Sequence, residues 1–359
     1  MEKFKDMTIR KKSTIRMIRN VVFFLLLIVF TFWYIFRNQD LNELIKVIQN
    51  VDIKYVVIGA LFMLMTYIME AYNVRSVLVT LGERKINIFK ALKFTWIGFL
   101  FSALTPAATG GQPVEVYYMN KEKIKVSNGT MAMLLQLCGF QISTILISIV
   151  CAIFNYDMLK DGIIWFYLLG LLLNSIALTF MLVGIFSKKI TRKLINLLVK
   201  ILKLIRVRNV EKKIDKIEEG LNEYNESAVF IKKHKGEFIK SIIRVMIQII
   251  FYHSIPYFIY KAFGLDTYSY LKIFSIQSVL FITVSCIPLP GAIGISETLF
   301  LKIYGKVFGK VLLNGAMLIY RFVSFYLYII ISTIVVTING ILMKNVENDL
   351  DSNVKYIDE

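Results

Sequence analysis

Phe99-Leu-Phe-Ser-Ala-Leu-Thr105-Pro106-Ala-Ala-Thr109-Gly110-Gly111-Gln112-Pro113-Val-Glu115 interrupts an apolar stretch with proline and glycine and ends on a glutamate. A second stretch, Phe281-Ile-Thr-Val-Ser-Cys-Ile-Pro288-Leu-Pro290-Gly291-Ala-Ile-Gly294-Ile-Ser-Glu297, does the same. The two align without a gap, since 281 − 99, 288 − 106 and 297 − 115 all equal 182. Broken backbone at membrane depth is tolerated only where protein or a wet cavity surrounds it. A matched pair of such breaks in two halves of a chain is a sequence pointer to a transport or binding site.

The rest of the chain fits a membrane. Of its 359 residues 57% are hydrophobic, mean hydropathy is +0.62, and no soluble domain of about 100 residues fits between the apolar runs. The net charge is +18. Two readings account for it: Lys and Arg collected in cytoplasmic loops, or attraction to anionic lipid headgroups. Cys138, Cys151 and Cys286 lie in apolar runs without a CxxC pair, so no disulfide framework or zinc knuckle is indicated. His234 and His253 lack ligand-spaced partners, which speaks against metal catalysis and calls for no cofactor.

Hydropathy and charge divide the chain. Residues 1–20 are a basic cytoplasmic N-terminus. Residues 21–186 form a first membrane half, with a retained first helix at Asn20–Phe36, a surface helix within 37–53, spans at Lys54–Leu81, Thr130–Phe154 and Gly162–Phe186, and a broken segment at 94–118. Residues 187–240 are a polar arm whose first part reads as a basic amphipathic helix. Residues 241–343 form a second half, with a span at Ser241–Phe263, a broken segment at 271–304 and a last helix at Val311–Met343. Residues 344–359 are an acidic tail.

Charge also decides whether the broken segments cross. If the first one did, Lys121, Lys123, Lys125 and the basic arm would all lie outside, against the positive-inside rule. A segment that dips in and returns keeps them inside. The expected fold is an all-α polytopic membrane protein with about six full spans and two re-entrant broken segments, arranged as an inverted-topology repeat.

The special residues have two readings each. Gly110, Gly111, Gly291 and Gly294 allow close backbone approach, and half-helices restarting after them would point amides at an anion. Glu115 and Glu297 cost roughly 2.5 kcal/mol or more in hydrocarbon. They bind an amine, carry a proton, or cap the restarted half-helices. Arg321 meets a phosphate or one of the glutamates, or else snorkels to the interface. Thr109, Gln112 and Tyr117 are candidates for a polar path, with Pro290 at the second break. Glu70 and Arg75 are candidates to pair with each other.

Thr105 to Pro113 and Pro288 to Glu297, with Tyr320-Arg321, resemble the two signatures of the flippase-like transmembrane region of the lysylphosphatidylglycerol synthases. The resemblance covers about residues 15–345. Ile293 and Ile295 depart from it, since relatives often have small residues there. It implies a multi-pass protein of the bacterial plasma membrane with both termini cytoplasmic. It further implies movement of an anionic or aminoacylated phospholipid such as lysylphosphatidylglycerol, whose positive charge protects bacteria from cationic peptides. Full-length members carry a C-terminal domain that transfers lysine from lysyl-tRNA. The chain stops shortly after the last helix, so the expectation is the translocation half. The alternatives are a phosphatidylglycerol lysyltransferase, the only reading that brings in a nucleic acid, or a membrane partner of such a transferase.

Overall fold

The computed structural model describes residues 41–83, 85–105, 108–159, 163–186, 228–229, 232–285 and 293–339. The expected first helix, most of the basic arm, the acidic tail, Cys286, Pro106, Pro288, Pro290 and Gly291 lie outside them. The described residues are helical, without strands. They form α1 (Leu41–Gln49), α2 (Ile53–Thr80), α3 (Ile88–Ala103), α4 (Gly111–Lys121), α5 (Val126–Phe154), α6 (Ile163–Phe186), α7 (Lys235–Ala262), α8 (Tyr270–Ser285) and α9 (Ile295–Arg321). A π-helical turn, Phe322–Tyr326, carries the last of these on to residue 339.

α7 begins at Lys235, six residues before the expected Ser241. The added turns carry Glu237 and Lys240, a charged cuff where the helix leaves hydrocarbon. Local chemistry fixes other ends. Asp52 accepts a hydrogen bond from the Lys54 amide at the start of α2, and Asn87 accepts one from the Lys90 amide at the start of α3.

α9 and its continuation form one stretch of 45 residues, Ile295–Asn339, with a strongly apolar part. A straight helix of that length would reach about 68 Å, more than twice the hydrocarbon thickness of about 30 Å. Gly309 resolves the excess, because its φ of 68° and ψ of 167° fold the helix back. Beyond the fold, Gly305 faces Leu313, Phe300 stacks on Tyr320 at 5.3 Å, and Glu297 meets Arg321. The first arm of α9 therefore descends beside the last span. With α2, α5, α6 and α7, that span is the fifth full crossing among the described residues.

α3 and α8 have 16 residues each, about 24 Å of helix, too short to cross. Both turn back. Glu122 at the end of α4 pairs with Lys90 (2.8 Å) and Lys93 near the start of α3. Deeper in, Gly98 faces Glu115, and Gly111 faces Ser102. Residue numbers rise on one helix as they fall on the other, so α3 and α4 are an antiparallel, re-entrant hairpin. In the second half the Tyr304 hydroxyl donates to Gln277 Oε1 at 3.1 Å, and Ile273, Ile276 and Leu280 share a core with Phe300 and Tyr304.

The offset of 182 seen in the punctuation recurs in the helices. α2 and α7 both have 28 residues, and 235 − 53 and 262 − 80 both equal 182. For α3 and α8, 270 − 88 and 285 − 103 give the same number. The left-handed turn glycines agree too: Gly82 (φ 96°) and Gly264 (φ 70°) differ by 182. These equivalent helices pack on each other. The Asp52 amide donates to Ala262 O (2.9 Å), Gly59 lies against Ile255 and Ile259, Glu70 meets Gln248, and Asn73 meets Arg244. The pairing is antiparallel. Equivalent helices that run oppositely make the two units inverted, related by a pseudo-two-fold axis that crosses the pair near its middle.

Candidate functional site

Residues that flank the two hairpin breaks share an apolar contact. Ala103 at the end of α3, Ile293 at the second break and Phe325 of the last span form one buried cluster, with Phe99, Leu104, Tyr326 and Ile329 packed around it. This cluster is an apolar plug beside the breaks, whose residues 106–107 and 286–292 lie outside the described residues. Ile293, 2% exposed, is enclosed within it.

At the start of α9 sits Glu297, 1% exposed. Its Oε2 accepts from the Gly294 amide at 2.7 Å, while its Oε1 lies 2.7 Å from Arg321 Nε. Capping and charge pairing therefore coexist in one side chain. The N-terminus of this half-helix already holds an anion, its own carboxylate. Arg321, 6% exposed, is embedded rather than snorkelling. Its guanidinium lies 4.3 Å from the Phe325 ring centre and 5.6 Å from that of Tyr326. Around it, Tyr320 donates toward the Tyr252 hydroxyl (3.5 Å) and accepts from Gln277 Nε2 (2.7 Å). A cavity of about 460 Å³ opens next to this cluster. It is lined by Ile48, Val51, Ile53 and Val56 on one side and Leu318, Ile319, Phe322 and Tyr326 on the other.

On the first hairpin sits Glu115, 4% exposed. It does not cap α4. Its carboxyl fills the space over Gly98, where a Cβ would stand 1.9 Å from Oε1. Its Oε2 has no hydrogen-bond partner among the described residues. The charged group within its electrostatic reach is Glu70 of α2.

Glu70 itself is not paired with Arg75. Five helical residues place two side chains about 140° apart around the axis. Arg75 Nε donates to Ile86 O (2.9 Å), while Glu70 Oε2 accepts from Gln248 Nε2 (3.0 Å). Gln248 opens a buried chain that sequence reasoning missed. Its Oε1 accepts from Gln136 Nε2 (2.9 Å), Gln136 Oε1 from Asn73 Nδ2 (2.6 Å), and Asn73 Oδ1 from Arg244 Nε (2.9 Å). Arg244 in turn pairs with Glu237. The signal was available, because amides and charges inside otherwise apolar spans are rare enough to be counted.

Other expected residues are placed less centrally. Thr105 ties the first tip, donating to Phe101 O (2.7 Å) and accepting from the Gly110 amide (2.9 Å). Gly111 is buried against Gly98 O and Ser102, which only a residue without a side chain permits. Gln112 is half-buried and Thr109 is exposed. Tyr117 is 56% exposed and contacts Tyr118 and Lys121, on a different face of α4 from Glu115. Gly294 makes the turn into α9 with φ 87°. His253, buried, contacts Ser278 Oγ through Nδ1 at 2.9 Å.

A membrane protein of Archaeoglobus fulgidus described as "UPF0104 membrane protein" is 23% identical to this chain over 325 residues, covering 88% of the chain and 96% of that protein. Residues 20–332 match the family described as "Lysylphosphatidylglycerol synthase TM region". That match takes in both hairpins, the plug beside their breaks and the Glu297–Arg321 pair, and the chain belongs to this family of membrane regions.

Proposed function

We propose that the chain moves a charged phospholipid headgroup between the leaflets of the plasma membrane. The observation that carries this reading is the Glu297–Arg321 pair, buried beside the junction of two inverted hairpins. Moving an ionised headgroup through hydrocarbon costs of order 20 kcal/mol in an idealised Born estimate. A fixed cation and a fixed anion inside the bilayer replace part of the lost hydration. The lipid phosphate takes Arg321 from Glu297, and an aminoacyl ammonium takes the released carboxylate. The apolar cavity beside Tyr326 has the size and lining for part of an acyl chain. Displacing Ile293 and Phe325 from the plug opens the path, first to one face and then to the other. In the proposed orientation both termini face the cytoplasm.

The test is leaflet exchange of labelled phosphatidylglycerol and labelled lysylphosphatidylglycerol in vesicles containing the purified chain. Exchange above protein-free vesicles, reduced at least tenfold by Arg321→Ala, is the expected result. No exchange of either lipid overturns the reading. Formation of lysylphosphatidylglycerol from lysyl-tRNA by the chain alone would replace it with a transferase.

A further inference from the structure

We infer that Glu115 and Glu70 form a proton-binding pair in which Glu115 holds the proton and Glu70 stays ionised. The inference does not depend on which lipid, if any, is carried. It begins with Arg244, a side chain that can only donate. Arg244 Nε therefore forces Asn73 to present its oxygen, so Asn73 Nδ2 must donate to Gln136. Gln136 then donates to Gln248, and Gln248 Nε2 donates to Glu70. One cation thus sets the orientation of three amides, and the last delivers an N–H to the Glu70 carboxylate. Burial opposes the charge of Glu70, and this N–H favours the charged form against it.

Glu115 has the opposite surroundings. The groups facing it come from α2 (Glu70, with Tyr67 one turn away) and from α3 (Gly98). Lys90, Lys93 and Glu122 form their own cluster at the far end of the hairpin, and Lys121 lies on the Tyr117 ring. Tyr67 contacts Phe99, the neighbour of Gly98, which sets Glu70 at the same depth as Glu115. Arg244 reaches Glu70 through its amides, and Tyr252 of α7 lies within electrostatic range of Tyr67. Glu115 Oε2 is buried with no donor among the described residues. Two carboxyls within electrostatic reach, Glu115 buried and Glu70 half-buried, resist ionising together, and the one without a donor takes the proton. Losing that proton would set two anions against each other across the α3–α4 hairpin and press α4 away from Gly98.

Infrared spectroscopy of the purified chain tests this. A protonated-carboxyl band is expected at mildly acidic to neutral pH, lost at alkaline pH and absent in Glu115→Gln. In Glu70→Gln the neighbour's charge is gone, so the band is expected to disappear at a lower pH than in the wild type. Absence of a titrating band in the wild type overturns the pair, as does its survival in Glu115→Gln. A band in Glu70→Gln that titrates as in the wild type also overturns it. Glu115→Asp, which retains a carboxyl, is expected to keep a band at a shifted frequency, and it serves if the glutamine variant does not fold.

Discussion

Gly98 is where one missing carbon decides the most. The Glu115 carboxyl occupies the volume its Cβ would need, and Gly111 faces the Gly98 carbonyl at a similarly close approach. Gly98→Ala overpacks the hairpin, which typically costs about 1–3 kcal/mol. The expected outcome is a lower thermal midpoint in detergent, largely restored by Glu115→Ala in the same chain, since the second change empties the contested space. Arg321 gives a second test. Removing one partner of a buried ion pair destabilises by roughly 3–5 kcal/mol. Arg321→Met alone and Glu297→Gln alone are each expected to lower the midpoint more than the two together, as measured by a double-mutant cycle. Both glutamates were visible in the sequence as charges where charges are expensive, and Arg321 was legible as a partner for one of them. The neighbour of Glu115 was not. Glu70 lies 45 residues before Glu115, and only the antiparallel return of α4 and the packing of α2 bring them together.

Glu122 shows how charge closes the first hairpin outside the membrane. Burial alone would push its carboxyl up, but hydrogen bonds from Lys90 and Lys93 outweigh this and hold it below the ordinary 4.5. A carboxyl whose value is depressed by folding stabilises the fold above its unfolded value and loses that contribution as pH falls through the folded one. Acid is therefore expected to loosen α4 from α3 below about pH 4.5. Amide hydrogen exchange along α4 should show it, with the acid-sensitive part missing in Glu122→Gln. At the same scale, Gly170 of α6 lies so close to α8 that a Cβ would stand 2.3 Å from Ile282 O. Backbone cannot yield as a side chain does, so Gly170→Ala is expected to lower the thermal midpoint by separating these helices. The element pattern was largely legible in the sequence, because proline and glycine at a repeated offset mark helix ends directly. The fold-back at Gly309 was legible only as a boundary between a broken segment and a last helix. A lone glycine in an apolar run does not reveal its φ.

The molecule as a whole is two inverted units joined along α2 and α7. Its orientation was read from lysines, and that reading has a direct check. Asn120 and Leu271 are both exposed, one at the end of each hairpin. With Cys138, Cys151 and Cys286 replaced, a cysteine at residue 120 is expected to react with an impermeant thiol reagent only from the cytoplasmic face. A cysteine at residue 271 should react only from the opposite face. Reaction of both from one side would remove the inversion. What no pattern of spacing revealed was the apolar cluster beside the breaks, since hydropathy marks a broken helix without saying what packs beside it.

The backbone of the two units is nearly interchangeable, yet their charges are not. One unit places its glutamate beside a second acid, and the other places its glutamate beside an arginine. A machine with truly equal halves would rest with no preference between the two leaflets. In the lipid movement proposed above, the unequal charges would bias the resting protein toward one leaflet, and a membrane voltage would act on the halves with different force.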